Sequence, residues 1–159
     1  LAPVLDRLEK TRFDLDSCWP RGLPSGVAHG DLFRDNLLWE GDAVSAIIDW
    51  ESASDHFFVY DLAVTLLAWC MGDTLDWELA RALIEGYQSE RTLTAPEWDA
   101  FAVVARGAAL RFSVTRITDF HLRQGEGVHK DYRRFVARLD AIEALSDAEL
   151  RERLGALTG

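Results

Sequence analysis

Residues 27–36, Val27-Ala28-His29-Gly30-Asp31-Leu32-Phe33-Arg34-Asp35-Asn36, carry the pattern H-x-D-x-x-x-x-N, and thirteen positions further on an apolar run, Ala46-Ile47-Ile48, closes on Asp49. Between them Leu37 to Glu40 reads as a strand, Gly41-Asp42 as a two-residue turn and Ala43 to Asp49 as the returning strand, because Gly followed by Asp between two apolar runs is a hairpin signal. With Glu40 opposite Ala43, Asn36 comes opposite Ile47, and Asp49 lies at the same open end of the ladder. Opposite residues in such a pair are about 5 Å apart and diagonal neighbours about 7–8 Å. Two oxygen-bearing side chains far apart in the chain are thereby expected to converge on one point.

Outward from this stretch the chain turns helical. Residues 1–12 read as a helix with Val4, Leu5 and Leu8 on one side, and residues 13–26, with Pro20, Gly22, Pro24 and Gly26, as a loop. Val27 to His29 reads as a short strand. Residues 50–59 read as a loop. From Tyr60 to Met71 the pattern is apolar nearly all round, which predicts a buried helix stopped at Gly72. A second helix spans about Asp76 to Glu90. Thr94-Ala95-Pro96-Glu97 is a capping box that opens a long helix to about Leu122, broken by Gln124-Gly125-Glu126-Gly127. Another helix spans about Lys130 to Leu145, and a second capping box, Ser146 to Glu149, starts a short terminal one. Strands and helices are segregated, so the fold class is α+β, with one short β-hairpin lying on the helices. No internal repeat, low-complexity run or interdomain linker interrupts the 159 residues.

Composition narrows the partners. With 48% hydrophobic residues the chain can bury a core. A formal net charge of −10 argues against nucleic acid or an anionic membrane surface. The longest nearly apolar run, Leu62 to Met71, is too short to cross a bilayer. The N-terminus has no basic segment leading into an apolar core, so it does not read as a secretory signal. Cys18 and Cys70 make no disulfide framework, and a reducing cytoplasm is the expected compartment. Leu1 in place of an initiator Met predicts a fragment.

The motif has a chemistry. Phosphoryl transfer asks of a protein a carboxylate that orients and deprotonates the attacking hydroxyl, and oxygen ligands that hold Mg²⁺ on the phosphates. Asp31 fits the first role, as catalytic base. Asn36 and Asp49 fit the second, as metal ligands. The six Trp residues fall mostly in apolar periodic stretches and read as core, with Trp50 beside Asp49 as the exception. His56, His121 and His129 have no metal-ligand spacing with Cys18 or Cys70, so no zinc site is expected.

His29-Gly30-Asp31 with Asn36, Ile48-Asp49-Trp50 and Tyr60-Asp61-Leu62-Ala63 resemble the aminoglycoside phosphotransferase and choline kinase group, which has a protein-kinase-like fold. Asp31 to Asn36, Tyr60 to Ala63, the stretch from Leu110-Arg111-Phe112 to Leu122, and Val128-His129-Lys130-Asp131 resemble the bacterial homoserine kinases of that group. The resemblance covers about residues 25 to 140. It implies that residues 1–159 are the C-terminal, mostly helical lobe, and that the N-terminal nucleotide-binding lobe, with its phosphate-covering loop and Lys, is absent from the chain. As a fragment it is expected to be inactive alone. It implies ATP as co-substrate, Mg²⁺ as cofactor and a small-molecule alcohol as acceptor, with L-homoserine, on the way to threonine, ahead of an aminoglycoside or a choline- or ethanolamine-type alcohol. A non-catalytic kinase-like binding module is the remaining alternative, and the intact Asp31, Asn36 and Asp49 argue against it.

In that frame His29 is structural support of the loop, and Asp61 braces the loop from a helix N-terminus, where the helix dipole favours a carboxylate. Arg34 either reaches the transferred phosphate or pairs with Asp35 or Asp55. Arg111, Arg116 and Asp119 are the substrate-binding candidates, since an Arg fork suits a carboxylate and an acidic side chain suits an ammonium; Arg116 and Asp119 share a helix face. Replacing Asp49 by Ala is expected to abolish Mg²⁺-dependent nucleotide binding in the whole protein. Retained binding, measured by nucleotide titration with and without Mg²⁺, would remove Asp49 from the ligand set.

Overall fold

The computed structural model describes residues 1–122 and 131–155. Its β part is two antiparallel ribbons rather than one hairpin. Strand β1 (Ser25–Ala28) is short and is followed by the motif loop, a 3₁₀ turn at Arg34–Asn36, β2 (Leu37–Glu40) and β3 (Ala43–Ile47). A second 3₁₀ turn, Trp50–Ser52, leads into β4 (Ser54–Phe57), where the sequence reading expected a loop. Strand β4 returns to pair with β1, Ser25 opposite Phe57 and Ala28 opposite Ser54. The whole excursion from His29 to Ala53 is therefore closed at its base by a β1–β4 clasp. The sequence hid this because Ser54-Asp55-His56 has neither an apolar run nor alternation; the strand is made by its long-range partner, as strand propensity often is.

The hairpin register also differs from the expected one. Glu40 faces Ala43, but a bulge between Leu38 and Trp39 on one side and Val44 and Ala46 on the other leaves Ser45 without an opposite number. Leu37 then faces Ile47, and the Ile48 amide donates to the Asn36 carbonyl at 3.0 Å. One extra residue on β3 thus moves Asp49 one step closer to Asn36 and increases the local twist. Gly41 takes the first loop position with φ +61°, the positive φ a II′ turn requires there.

Around the ribbons stand, among the described residues, six helices: α1 (Ala2–Cys18), α2 (Phe58–Trp69), α3 (Trp77–Glu90), α4 (Ala95–Arg116), α5 (Arg133–Glu143) and α6 (Asp147–Gly155). Helix α1 runs past the expected residue 12 because Leu8, Thr11 and Leu15 continue one buried face. It stops before Pro20, since the residue preceding a proline is driven out of the helical region. Helix α2 buries Val59, Leu62, Ala63, Val64, Leu66 and Leu67 almost completely. At about 1.5–3 kcal/mol for each fully buried aliphatic side chain, this helix is firmly anchored in the core.

Helix α4 is the hub, packing on α1, α2, α5 and α6. Its buried Ala102, Ala105, Ala108 and Ala109 let neighbours approach closely, and a β-carbon at Gly107 would sit 2.4 Å from the Trp19 ring. The start of α4 is fixed by Glu97, which is fully buried and accepts hydrogen bonds from the Thr94 amide and hydroxyl and from Arg91. Its end departs from the expected uniform helix to Leu122. After Arg116 the backbone widens into a π-helical turn over Ile117–His121, with the Leu122 amide bonded to the Ile117 carbonyl at 2.9 Å. The expected break at 124–127 lies outside the described residues.

Hydrophobic residues of the hairpin are less covered than expected. Trp39, read as core, is half exposed, as are Leu38, Val44 and Trp50. No described helix is long and apolar enough to cross a membrane.

Cys70 is buried beside Met71 and Leu75, and burial pushes its thiol up to about 11, whereas Cys18 is exposed. A thiol reagent at pH 8 should titrate one equivalent in the native protein and two after denaturation. As an acid whose native pKa is raised, Cys70 leaves stability intact below about 9 and erodes it as pH rises from there toward 11, because the unfolded chain releases that proton first. Two rapidly reacting equivalents in the native protein would contradict this packing.

Candidate active site

The motif loop is gripped from three directions. Asp61, in the first turn of α2, accepts from the backbone amides of His29 at 2.6 Å and Gly30 at 2.7 Å, one through each carboxylate oxygen. Arg111 of α4 donates to the Gly30 carbonyl at 2.6 Å, to the Tyr60 hydroxyl at 3.3 Å and to the Ser52 hydroxyl at 3.4 Å. His29, buried, donates through Nε2 to the Ile48 carbonyl at 2.9 Å, and its Nδ1 accepts from the Asp31 amide at 3.3 Å. This pair of bonds defines the Nε2–H tautomer. The imidazole also lies against Trp50, with ring centroids 4.7 Å apart.

Between these grips Gly30 adopts φ +75°, and a β-carbon there would meet the Ser52 carbonyl oxygen at 3.0 Å. Only glycine accepts both the left-handed backbone and the close approach.

The grip presents Asp31. Asn36 is buried, and its amide nitrogen donates to the Asp31 carbonyl at 2.7 Å and toward its carboxylate at 3.4 Å. With the nitrogen committed, the amide oxygen carries no hydrogen bond among the described residues. Asp49, exposed at the end of β3, has φ +62° and ψ +59°, the one non-glycine residue with positive φ among those described. A non-glycine residue in that region costs about 1–3 kcal/mol and persists only where its surroundings over-determine it. Here the fixed His29–Ile48 bond on one side and the Trp50 turn on the other impose it; Trp50 locks that turn by donating from its indole to the Ile47 carbonyl at 3.0 Å. An amide oxygen and a carboxylate form a hard-oxygen donor set suited to Mg²⁺, which takes few protein ligands and completes its shell with phosphate and water.

Asp31 forms part of the wall of a cavity of about 360 Å³, together with Arg111, Arg116, Asp119, Glu51 and Phe33. The structure thus gathers Asp31 with all three substrate-binding candidates. It separates their jobs, however. Arg111 is half-buried and spent on the loop. Arg116 instead lays its guanidinium over the Phe135 ring at 4.2 Å and the Phe33 ring at 5.8 Å. Burial and the neighbouring Arg134 lower the Arg116 pKa, opposed by Asp31 and Asp35. Asp119 reaches the cavity from the π-helical turn and lines it together with Arg116.

Arg34 points elsewhere. Its guanidinium donates to the Trp69 carbonyl at 3.2 Å and stacks on the Trp69 ring at 5.1 Å, and it is not part of the Asp31 cavity wall. Among the described residues neither expected partner, Asp35 nor Asp55, holds it in an ion pair.

Sequence reasoning passed over Glu51, Ser52, Tyr60 and Thr115. Thr115 follows Arg111 by four positions on α4 and shares its face, a spacing legible in advance. Tyr60, whose hydroxyl is pushed up by burial against the opposing pull of Arg111, lies next to Asp61. Glu51 and Ser52 had no signal, because only the β1–β4 clasp brings the 50–53 turn against Gly30.

Asp61→Ala should leave two loop amides without their charged acceptor and destabilise the chain by about 3 kcal/mol or more in a urea titration, at about 1.5–3 kcal/mol for each bond to a charged group. Hydrogen exchange at the His29 and Gly30 amides should accelerate well beyond the global change. Unaltered protection of both amides would rule out the grip.

The sequence model of the phosphotransferase enzyme family matches residues 1–104. Among curated proteins, the homoserine kinase of Methylobacterium radiotolerans is 45% identical over 146 residues, which are 87% of this chain and 46% of that protein. The homoserine kinases of Methylorubrum populi and Nitrobacter hamburgensis are each 47% identical, over 70% and 76% of this chain and 36% and 35% of their own lengths. The chain therefore spans between about a third and a half of the length of these relatives. With the family match extending from α1 through the motif loop, both β-ribbons and α2 into α4, this chain belongs to the phosphotransferase enzyme family.

Proposed function

We propose that this chain is the C-terminal catalytic lobe of a kinase that transfers the γ-phosphoryl group of ATP to the side-chain hydroxyl of L-homoserine, giving O-phospho-L-homoserine. The observation that carries the reading is Asp31 on the wall of a cavity that also offers Arg116 and Asp119. A cation and an anion beside one carboxylate base suit a substrate with an α-carboxylate, an α-ammonium and a nearby hydroxyl. The names of the relatives, homoserine kinase in each case, support the same acceptor.

In this mechanism Asp31 accepts a hydrogen bond from the acceptor hydroxyl, aims its oxygen at the γ-phosphorus and takes its proton as the new O–P bond forms. The bond from the γ-phosphorus to the β,γ-bridging oxygen breaks, and ADP leaves with that oxygen. Asn36 keeps Asp31 in place through its amide nitrogen and offers its amide oxygen, with the Asp49 carboxylate, to Mg²⁺. Bound there, the ion supplies charge neutralisation for the phosphates. Arg111 and Asp61 contribute by holding the loop fixed, so that no reorganisation is needed when the substrate arrives. Arg34 has no part in this scheme.

The lobe acts together with an N-terminal nucleotide-binding lobe that is not among these 159 residues, a reading supported by the fraction of the relatives' length the chain spans. The cytoplasm, with its ATP and Mg²⁺, is the proposed site of action.

The test is an ADP-release assay on the whole protein with L-homoserine, choline and an aminoglycoside as acceptors. L-homoserine should give the highest kcat/KM, and Asp31→Asn should lower kcat by about 10²–10⁴-fold while nucleotide binding persists. A preference for choline or the aminoglycoside would overturn the substrate; near-normal turnover by Asp31→Asn would overturn the base.

A further inference from the structure

A second cavity, of about 340 Å³, lies behind the first, and Phe33 and Arg116 belong to the walls of both. Among the described residues its other charged lining side chains are Arg34, Arg134, Arg138 and one carboxylate, Asp35. This runs against the composition of the chain, in which 27 acidic side chains outnumber 17 basic ones. Several other arginines meet carboxylates: Arg7 with Asp140 and Glu143, Arg91 with Glu97, Arg106 with Asp147, Arg151 with Asp99. Among the described residues Arg34, Arg116, Arg134 and Arg138 form no such pair. Three of them, Arg34, Arg116 and Arg138, are held by aromatic rings and carbonyl oxygens. Arg116 and Arg138 each lie over the Phe135 ring, at 4.2 and 4.5 Å. Arg138 also reaches the Met71 carbonyl at 3.5 Å, as Arg34 reaches that of Trp69 at 3.2 Å.

The grouping is costly as it stands. Burial, followed by repulsion from Arg116 and Arg134, pulls the Arg138 guanidinium down to about 10, well below its ordinary value. Like charges gathered around an open recess are relieved by an anion in it, and guanidinium forks match the geometry of phosphate and carboxylate oxygens.

We propose that the recess bounded by Arg34, Arg116, Arg134 and Arg138 is an oxyanion-binding site, taking a phosphate or carboxylate group and touching the Asp31 cavity through Arg116. The site does not depend on the assignment of Asp31 as a base or of L-homoserine as acceptor. Its anion comes either from the ligand of the neighbouring cavity or from a separate small molecule.

The probe is inorganic phosphate, titrated calorimetrically into the protein at two NaCl concentrations. Binding should saturate and weaken as NaCl rises. Arg134→Gln and Arg138→Gln should each weaken it at least fivefold, and Arg133→Gln, on the adjacent exposed position, should leave it unchanged. Arg134 is exposed, so its variant keeps the test decisive even if loss of the Arg138–Phe135 stack unfolds the other. Competition between L-homoserine and phosphate assigns the anion to the neighbouring ligand; simultaneous binding assigns it to a separate molecule. A titration that never saturates, or equal affinities in Arg134→Gln and Arg133→Gln, overturns the site.

Discussion

The two hydrogen bonds from the His29 and Gly30 amides to Asp61 are the constraint on which the rest of the site depends. Asp61 stands on the first turn of α2, and α2 is pinned by six nearly inaccessible side chains. The loop therefore inherits the rigidity of the core. The favourable end of a helix dipole adds to the carboxylate's hold at that position. Arg111 closes the grip from the other side, through the Gly30 carbonyl, and so ties the loop to α4 as well. A loop held by two core helices can present Asp31 at one position and sustain the strained backbone of Asp49, whose cost of about 1–3 kcal/mol is small beside the burial of α2 alone.

Charge is distributed with the same logic. Arg111 and Arg116 are five residues apart on α4 and both contribute to the Asp31 cavity, yet they do different work. Arg111 is consumed by backbone and hydroxyl oxygens. Arg116 rests on aromatic faces, which support a guanidinium without neutralising it. Several surface arginines are matched by carboxylates, whereas Arg34, Arg116 and Arg138 lie on the rings of Trp69, Phe33 and Phe135. An acidic protein can in this way concentrate positive charge locally.

Much of the fold was legible because its signals are local. The apolar run from Tyr60 to Met71 specified a buried helix, which the structure forms over Phe58–Trp69, the Thr94–Glu97 box specified where α4 begins, and Gly41-Asp42 specified the hairpin turn. The illegible parts were those that a distant partner creates. Strand β4 exists because β1 pairs with it, the bulge at Ser45 moves the register by one, and α4 ends in a π-helical turn. The contact of Arg34 with Trp69 likewise needs a residue 35 positions away.

By itself, then, the sequence determined the identity of the chemical groups: the carboxylates at 31, 49 and 61, the amide at 36, the glycine at 30, and their order along the chain. Residue type and order suffice for that, since they say which atoms can accept a proton or offer an oxygen. Tertiary structure alone decided which groups meet. It closed the 29–53 excursion with the β1–β4 clasp and spent Arg111 on the loop. It also left Arg116 facing the cavity. Such choices rest on contacts between residues 19 to 81 positions apart, where directional hydrogen bonds and packing select one pairing among many that the sequence equally permits.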